Sequence, residues 1–406
     1  MKYPDNTLNL IGHPSPSTMK SLLILMALVP MYCMGQKIPV SQKHARNDII
    51  SIDLKDAYKN RKDYSLSTIA ESIEYIPLET TKECLLANLG DIVLTSNDII
   101  VYVYEDICYR FNRQGKFLNT IGVIGRGPKE CTKTRSCVVD TVNSWVYILD
   151  WDKFAKYDYE GNHRANFKPG GTIGFRLLMP EPGLILAGSS IFQEAEPDDR
   201  YSIHVFSEQQ NRYIAKIACE KRDEIPFCID LPSMYNYGQE TYISDFWSDT
   251  IYRMDDPINL EAYAVMNKGR FKYRSTDDKS ILSGKKNNGD TWVLEVGMME
   301  ENDRYIFITT SKGVFFYDKK TKETHCSNYI ELTGDKWINF INDITSVPVK
   351  SFVKSISTIN DNILLSHNEA YEFFETEGDD SPEIRRLKST LSPDDNPILT
   401  LIKLKK

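Results

Sequence analysis

Two loops in the sequence place a tryptophan between carboxylates, at residues 149–153 and 244–249. An indole ring can stack against a sugar ring or a peptide group, and a neighbouring carboxylate can accept hydrogen bonds from the same ligand. This pattern indicates ligand contact. The candidate binding residues in these loops are Trp151, Asp152, Trp247 and Asp249. The alternative is that these side chains only fix turns and contacts between structural units.

A third segment, residues 122–130, carries three glycines around Arg126. Backbone N–H groups of a glycine-rich turn can hold an anion, and Arg126 would add a positive charge. The spacing is neither that of a P-loop nor that of a dinucleotide-binding fingerprint, and no strand-to-helix context surrounds it. A structural turn between two units is the simpler interpretation. Arg126 is the residue of this segment that we take as a binding candidate.

The histidines and cysteines form no recognisable metal-binding or catalytic motif. No H-x-H, H-x-x-x-H or C-x-x-C spacing occurs, and neither does a G-x-S-x-G elbow. We therefore predict no metal site and no cofactor. Cys131 with Cys137, or Cys219 with Cys228, could close a short loop in an oxidising compartment. Buried free thiols are the alternative.

These residues are distributed over a pattern that recurs along the chain. Its units share an alternating apolar run, a polar turn and a second run that ends in an aromatic residue or a substitute. The closing residues, 46 to 63 positions apart, are Phe111, Tyr157, Phe206, Met254, Tyr317 and Phe373. Alternation of period two predicts short strands, and four such strands make one antiparallel blade. The sequence therefore predicts an all-β fold, a six-bladed β-propeller of four-stranded antiparallel blades. A solenoid or a pair of β-sandwiches is the alternative.

An open ring would expose sheet edges, so the two ends of a propeller must be joined. We predict that residues 73–78 pair with the C-terminal strand at residues 397–402. Residues 70–406 would then form the ring, and residues 36–69 an N-terminal extension. Ser67 and Thr68 precede Glu71 in a capping arrangement, which predicts a short helix over residues 65–73.

The N-terminal region has the layout of a secretory signal. Met19 and Lys20 precede an apolar run at residues 21–29, and small residues stand before a possible cleavage site at Gln36. We predict a signal peptide at residues 19–35, with residues 1–18 an artefact of start-site choice. Lipidation of Cys33 is the alternative. The protein is therefore expected in the periplasm or cell envelope, soluble or lipid-anchored.

The charge balance argues against one class of partner. The chain of 406 residues has 49 Lys and Arg against 57 Asp and Glu, a formal net charge of −8. Such a surface repels phosphate backbones, and no basic stripe overrides it. Nucleic acid is not an expected partner, and a membrane is expected only through a lipid anchor.

Several segments resemble a known family. Residues 111–122 (Phe-Asn-Arg-Gln-Gly-Lys-Phe-Leu-Asn-Thr-Ile-Gly) and 125–130 (Gly-Arg-Gly-Pro-Lys-Glu) resemble a signature of six-bladed β-propellers common among exported proteins and lipoproteins of gut Bacteroidetes. Residues 395–399 are similar to that family's terminal strand, and residues 341–344 to another of its segments. The last segment adds Asn342 and Asp343 as binding candidates. Cys131 stands where the family usually has tyrosine.

The resemblance covers about residues 70–405 and implies the fold, while it says little about activity. The units also look like NHL-type and TolB-like blades, a wider group that includes binding modules and lyases. We expect an extracytoplasmic binding or scaffold module that recognises a glycan, a peptide or a partner protein through one propeller face. The alternative is a lyase or hydrolase with an axial active site in the central channel.

Overall fold

The fold was analysed on a computed structural model of the chain. The structure describes residues 49–170, 175–189, 201–217, 231–245, 248–272, 296–310, 312–332, 336–345, 347–350, 355–357, 362–375 and 381–406. The predicted signal peptide, Cys33 and Trp247 lie outside these residues. No helix in the described ranges is both long and apolar enough to cross a membrane.

The described chain begins with four elements that precede blade 1 in the sequence. These are β1 (Ile50–Ile52), α1 (Leu54–Lys59), a 3-10 turn (Leu66–Thr68) and β2 (Ala70–Pro77). Asp53 begins α1, where its side chain accepts a hydrogen bond from the backbone N–H of Asp56.

Five blades then follow one another, each with its strands paired antiparallel in chain order. Blade 1 contains β3 (Leu89–Leu94), β4 (Asp98–Val103), β5 (Cys108–Asn112) and β6 (Phe117–Ile121). Blade 2 contains β7 (Ser136–Asp140), β8 (Trp145–Leu149), β9 (Phe154–Asp158) and β10 (His163–Phe167). Blade 3 contains β11 (Arg176–Glu181), β12 (Leu184–Gly188), β13 (Ile203–Ser207) and β14 (Arg212–Ile217). Blade 4 contains β15 (Ser233–Tyr237), β16 (Glu240–Ser244), β17 (Thr250–Asp256) and β18 (Asn259–Met266), and a 3-10 turn (Gly269–Phe271) follows it. Blade 5 contains β19 (Val296–Glu301), β20 (Tyr305–Thr310), β21 (Gly313–Asp318) and β22 (Glu323–Ser327).

The sixth blade is less regular. A small sheet of β23 (Ile330–Leu332), β24 (Lys336–Phe340) and β25 (Val349–Lys350) precedes it, and β26 (Ser355–Ser357) pairs in parallel with β3. Then come β27 (Ile363–Asn368), α2 (Ala370–Glu375), α3 (Pro382–Thr390) and β28 (Ile398–Leu404). Blade 6 is the sheet with strand order β2-β28-β27.

Alternation within the strands explains why the blades pack into a ring. In β4, Ile99 and Val101 belong to a core shared with blade 6, whereas Ile100 and Tyr102 belong to a core shared with blade 2. A strand that is apolar on both sides needs a neighbour on each side. Six such cores join blades 1 and 2, 2 and 3, 3 and 4, 4 and 5, 5 and 6, and 6 and 1. The last of them closes the ring, so the fold is a six-bladed β-propeller.

The predicted joining of the two chain ends is confirmed. β2 pairs antiparallel with β28 over its full length, with Ile73 opposite Ile402 and Ile76 opposite Leu399. β2 becomes the outer strand of blade 6, although its sequence position is near the start of the described chain. This pairing covers an edge of β28 that would otherwise be open to another chain.

Two details of the predicted elements were wrong. Phe373 does not end a strand, because it lies in α2, and the strand that follows β27 in blade 6 is β28. The predicted helix over residues 65–73 is only a 3-10 turn at Leu66–Thr68, and residues from Ala70 onward are strand. There, pairing with β28 satisfies the backbone hydrogen bonds and overrides the local capping pattern.

Residues 49–69, here called the N-terminal strap, run past three blades. β1 pairs in parallel with β18, the outer strand of blade 4. Lys62 then bridges Ser327 of blade 5, and Ser65 bridges Ile341. The strap therefore joins blades 4 and 5 to the start of blade 6 before the chain enters β2.

Candidate functional site

The strand order places the longest connections at one end of the ring. The first strands of neighbouring blades contact one another, so they are the innermost strands. In an antiparallel blade, the turn from second to third strand and the connection to the next blade emerge at the same end. We call this end the loop face. The predicted binding residues that belong to these connections are Arg126, Trp151, Asp152, Asp249, Asn342 and Asp343. Trp247 belongs to the same turn as Asp249 but lies outside the described residues.

Trp151 is an exposed aromatic residue among these candidates. It follows β8 in blade 2, and 58% of its surface is exposed. The guanidinium carbon of Arg135 lies 4.3 Å from the centre of its ring. The same carbon lies 4.6 Å from the ring centre of Phe175, which is 37% exposed. Arg135 is thus held between two aromatic faces, an arrangement that cation–π attraction stabilises. We call Arg135, Trp151 and Phe175 the Arg135 cluster.

The position of the Arg135 cluster follows from the strands that it adjoins. Arg135 directly precedes β7, and Phe175 directly precedes β11, the innermost strands of blades 2 and 3. These two residues therefore lie towards the central axis at the loop face. Tyr104, 55% exposed, follows β4 at the same face. Burial and the charge of Asp91 raise the pKa of Tyr104, and Arg176 acts in the opposite direction.

The backbone around Arg135 is firmly held. Its N–H donates to the carbonyl of Leu149 at 2.9 Å. The buried carboxylate of Asp150 accepts from the backbone N–H groups of Thr132, at 3.0 Å, and Lys133, at 2.7 Å. Burial alone would raise the pKa of Asp150, but these hydrogen bonds outweigh burial and lower it. Asp150, which stood beside the predicted tryptophan site, is therefore a structural anchor for the preceding connection.

The connection from blade 1 to blade 2, residues 122–135, contacts blade 2 strand by strand. The carbonyl of Pro128 accepts from Asn166 of the outermost strand at 2.6 Å, and that of Lys129 accepts from Tyr157 of the third strand at 2.8 Å. The connection next reaches Asp150 at the end of β8 and continues as β7. It therefore runs from the rim of blade 2 to its innermost strand.

The glycine-rich part of this connection holds a carboxylate of its own chain. The N–H of Gly127 donates to Glu130 Oε2 at 2.7 Å. A Cβ atom added to Gly125 would lie 2.0 Å from the same oxygen. The glycines therefore leave room for the side chain of Glu130, which supports the structural interpretation of this turn. Arg126 is exposed on the connection, and its role as a binding residue stays a prediction.

The predicted acidic candidates have partners within the protein. Asp152 is exposed and forms an ion pair with Lys168 at 2.9 Å. Asp249 forms ion pairs with Lys268, at 3.6 Å, and with Lys272. The roles of Asp152 and Asp249 as binding residues stay predictions.

Asn342 and Asp343 serve the fold directly. Asn342 donates to the carbonyl of Val347 at 2.6 Å and accepts from the N–H of Ile344 at 3.1 Å. Asp343 accepts from the N–H of Ser67 in the N-terminal strap at 2.9 Å. These contacts explain both residues without a ligand, and we do not include them in the candidate site.

The described histidines do not come together. His163, His204, His325 and His367 lie in blades 2, 3, 5 and 6 respectively. Within the described ranges, no group of three or more His, Cys, Asp or Glu side chains could hold a metal ion. The described histidines therefore form no shared site.

One hydroxyl–imidazole pair resembles part of a catalytic arrangement. Ser189 Oγ lies 3.2 Å from Nδ1 of His204, but each residue is only 2% exposed. The imidazole packs beside the ring of Tyr213, with 5.3 Å between ring centres. A nucleophile must reach its substrate, so we interpret this pair as part of the interior of blade 3.

No disulfide joins the described cysteines. Cys131 and Cys137 are both buried, and the possible disulfide between them was wrong. Cys84, Cys108 and Cys326 are also buried free thiols, as the alternative interpretation predicted. Cys219 and Cys228 lie outside the described residues.

Sequence reasoning missed two of the three residues in the Arg135 cluster. Arg135 ends a polar connection and Phe175 stands alone after a glycine-rich stretch, so neither belongs to a motif. The only signal was their position directly before strands, at Ser136–Asp140 and Arg176–Glu181. Their contact with Trp151 depends on the packing of two neighbouring blades.

The fold and this loop-face site define a propeller with an exposed aromatic and cationic surface near its axis. The chain belongs to the family described as "Domain of unknown function (DUF4934)", whose model matches residues 49–403. A search among curated proteins gave no match.

Solved structures resemble this chain to different degrees. A Bacteroides fragilis protein described as exported has 18% sequence identity and a TM-score of 0.64, over 88% of this chain and 100% of that chain. A Bacteroides vulgatus member of the DUF4221 family has 12% identity and a TM-score of 0.47, over 83% and 97%. The first of these similarities supports the propeller fold.

Proposed function

We propose that the protein is an exported carbohydrate-binding module that takes its ligand on the loop face at the Arg135 cluster. The observation that carries the proposal is the exposed indole of Trp151, which Arg135 backs on one face. A sugar ring can stack on the other face of the indole. The neighbouring ion pair of Asp152 and Lys168 offers an acceptor and a donor for hydroxyl groups.

A carbohydrate suits this surface better than a folded partner protein. A stable protein interface needs a buried apolar core surrounded by a polar rim. Here the exposed rings stand beside charged residues, and Arg135 fills the space between them. A peptide remains the alternative ligand, and the experiment below distinguishes the two.

Export is the second part of the proposal. The signal layout at residues 19–35 supports it, and so does the description of the similar Bacteroides fragilis protein as exported. Cleavage before Gln36 would release a soluble protein, whereas lipidation of Cys33 would anchor it to a membrane. The N-terminal sequence and mass of the protein isolated from its own host will distinguish these forms. The likeness to NHL-type and TolB-like blades is compatible with a binding role and stays a prediction.

The test is a glycan array followed by calorimetry on the purified protein. We expect binding to at least one polysaccharide, and we expect Trp151→Ala to weaken it by about tenfold, equivalent to about 1.4 kcal/mol. Val142→Ala is the control, because Val142 is 76% exposed in the first hairpin of blade 2, at the opposite end. Binding that Trp151→Ala leaves unchanged would contradict the proposed site. If Trp151-dependent binding is found with a peptide library and with no carbohydrate, the ligand of this site is a peptide.

A further inference from the structure

The guanidinium of Arg135 is positioned but has no hydrogen-bonding partner in the described part of the chain. Its carbon lies 4.3 Å and 4.6 Å from the ring centres of Trp151 and Phe175. These contacts are with the faces of the two rings, and they leave the N–H donors without a hydrogen bond in the described part of the chain. A guanidinium presents these donors as a rigid fork that matches a carboxylate. Arg135 is therefore preorganised for a planar anion.

The buried carboxylate of Asp150, which acts electrostatically on Arg135, does not serve as that anion. Asp150 already accepts hydrogen bonds from the N–H groups of Thr132 and Lys133, and from the hydroxyl of Thr132 at 3.1 Å. Lys153, which is buried, lies 3.9 Å from the same carboxylate. Its oxygens are committed to holding the connection. Burial lowers the pKa of Arg135 and the charge of Asp150 opposes this shift, although no ion pair joins the two side chains among the described residues.

The connection that ends at Arg135 is basic, although the protein as a whole is acidic. Residues 122–135 include four basic residues and one acidic residue in a chain of net charge −8. The acidic residue, Glu130, binds the N–H of Gly127. Arg126 and Lys129 are exposed, and neither has an ion pair among the described residues. Because this connection runs from the outermost to the innermost strand of blade 2, its positive charges extend from the rim towards the axis.

We infer that the ligand is an acidic polysaccharide, whose uronic acid carboxylate binds the guanidinium of Arg135 while its sugar ring stacks on Trp151. Further carboxylates of the same polysaccharide then lie beside Arg126 and Lys129. This inference rests on the proposed carbohydrate-binding function and names the class of carbohydrate.

The experiment compares each uronate polymer with the same polymer after chemical reduction of its carboxyl groups. The probes are polygalacturonate, alginate and hyaluronan, measured by calorimetry against the purified protein at two salt concentrations. We expect at least one uronate polymer to bind about tenfold more tightly than its reduced form, and its affinity to fall with salt. Arg135→Gln should make the two forms bind equally, and Arg135→Lys should restore part of the difference.

Arg164 provides a matched control on the same blade. Its guanidinium carbon lies 5.7 Å from the ring centre of Trp145, at the end of blade 2 opposite the loop face. Arg164→Gln should leave the preference for carboxylated polymers unchanged. If Arg135→Gln does not fold, the double variant Arg126→Gln, Lys129→Gln changes only exposed side chains. It should lower the affinity for the uronate polymer and reduce its salt dependence, and unchanged values would overturn the inference.

The possible failures are distinguishable. If reduced polymers bind as tightly as uronates, and Trp151→Ala weakens both, the carbohydrate-binding function stands and the acidic ligand is overturned. If only sulfated polymers bind through Arg135, the assignment of a carboxylate as the group that Arg135 recognises is likewise overturned. If no carbohydrate shows Trp151-dependent binding, the proposed function itself fails.

Discussion

The carboxylate of Asp343 holds the N-terminal strap through Ser67, a residue 276 positions earlier in the chain. It accepts from the backbone N–H of Ser67 at 2.9 Å and also from its hydroxyl. The adjoining residue Leu66 donates its N–H to the carbonyl of Ile341 at 2.7 Å. The connection between blades 5 and 6 is thereby tied to the segment that leads into β2.

We expect Asp343→Ala to loosen the strap without affecting ligand binding. Loss of hydrogen bonds at this exposed site should lower the free energy of unfolding by about 0.5–1.5 kcal/mol. Hydrogen exchange should become faster at residues 62–69. Asp394→Ala, an exposed substitution near the C-terminus, is the control. A double-mutant cycle with Ser67→Ala should show coupling, and additive effects would contradict the pairing.

The same pair predicts a dependence on acid. Burial raises the pKa of Asp343, but the hydrogen bonds from Ser67 outweigh burial and lower the pKa overall. A carboxylate with a lowered pKa stabilises the fold above its unfolded pKa of about 3.9, and this contribution is lost as the pH falls below that value. The free energies of unfolding of the unmodified protein and of Asp343→Asn, measured in urea, should therefore become equal at low pH.

Two glycines with similar backbone angles should respond differently to substitution. Gly115 has φ +80°, and an added Cβ would lie 1.9 Å from the carbonyl oxygen of Pro77 in β2. Gly238 has φ +61°, but an added Cβ would have no atom within 4 Å. Gly238→Ala should cost about 1–2 kcal/mol for the left-handed conformation alone. Gly115→Ala should cost more, because the chain must also move away from Pro77. Equal midpoints in urea unfolding would contradict this explanation.

The blades could be predicted from the sequence because each strand carries its own evidence. Residues 99–103 are all apolar, and their burial against two neighbours follows from the alternation of side chains in a strand. The pairing of β2 with β28 could also be predicted, since a ring requires its ends to be joined. These features depend on local pattern and topology.

The two helices between β27 and β28 of blade 6, α2 and α3, could not be predicted in the same way. Ser381 caps α3 by accepting from the N–H of Ile384 at 3.3 Å, which is a local signal that the sequence contained. The helix is short, however, and its stability depends on packing Ile384 and Leu387 against Tyr75 and Val347. The Arg135 cluster was missed for a related reason, because it forms only when two blades are already in place.

The described cysteines should be unreactive until the protein unfolds. Burial raises the pKa of Cys84 to about 12 and that of Cys131 to about 11, in each case against a smaller lowering by a hydrogen bond. Burial likewise raises the pKa of Cys326 to about 12. Because the thiolate is the nucleophile, iodoacetamide at pH 8 should not label these residues in the native protein.

Peptide mapping after labelling will test this residue by residue. All five described thiols, Cys84, Cys108, Cys131, Cys137 and Cys326, should become labelled in denaturant without a reducing agent. A requirement for reduction at Cys131 or Cys137 would show that they form a disulfide after all. Labelling of Cys84 in the native state would contradict its burial.

His367 should make the protein less stable in mildly acidic solution. Its Nδ1 atom is buried without a hydrogen-bond partner in the described part of the chain. Burial first, and then the charge of Lys350, lower the pKa of His367 to about 4, while Glu372 acts in the opposite direction. Lys350 and Glu372 form an ion pair of 2.8 Å beside it. The folded protein therefore holds this imidazole neutral at pH values where the unfolded chain is protonated.

The expected window runs from the unfolded pKa, about 6.5, down to the folded value of about 4. Within it the unfolded state binds an additional proton, so stability should fall as the pH falls, by at most about 1.4 kcal/mol per pH unit. Urea unfolding at several pH values should show a smaller slope for His367→Gln than for the unmodified protein. His163→Gln, in the outer strand of blade 2, is the control. An unchanged slope in His367→Gln would show that the imidazole of His367 is protonated in the folded state or reaches solvent.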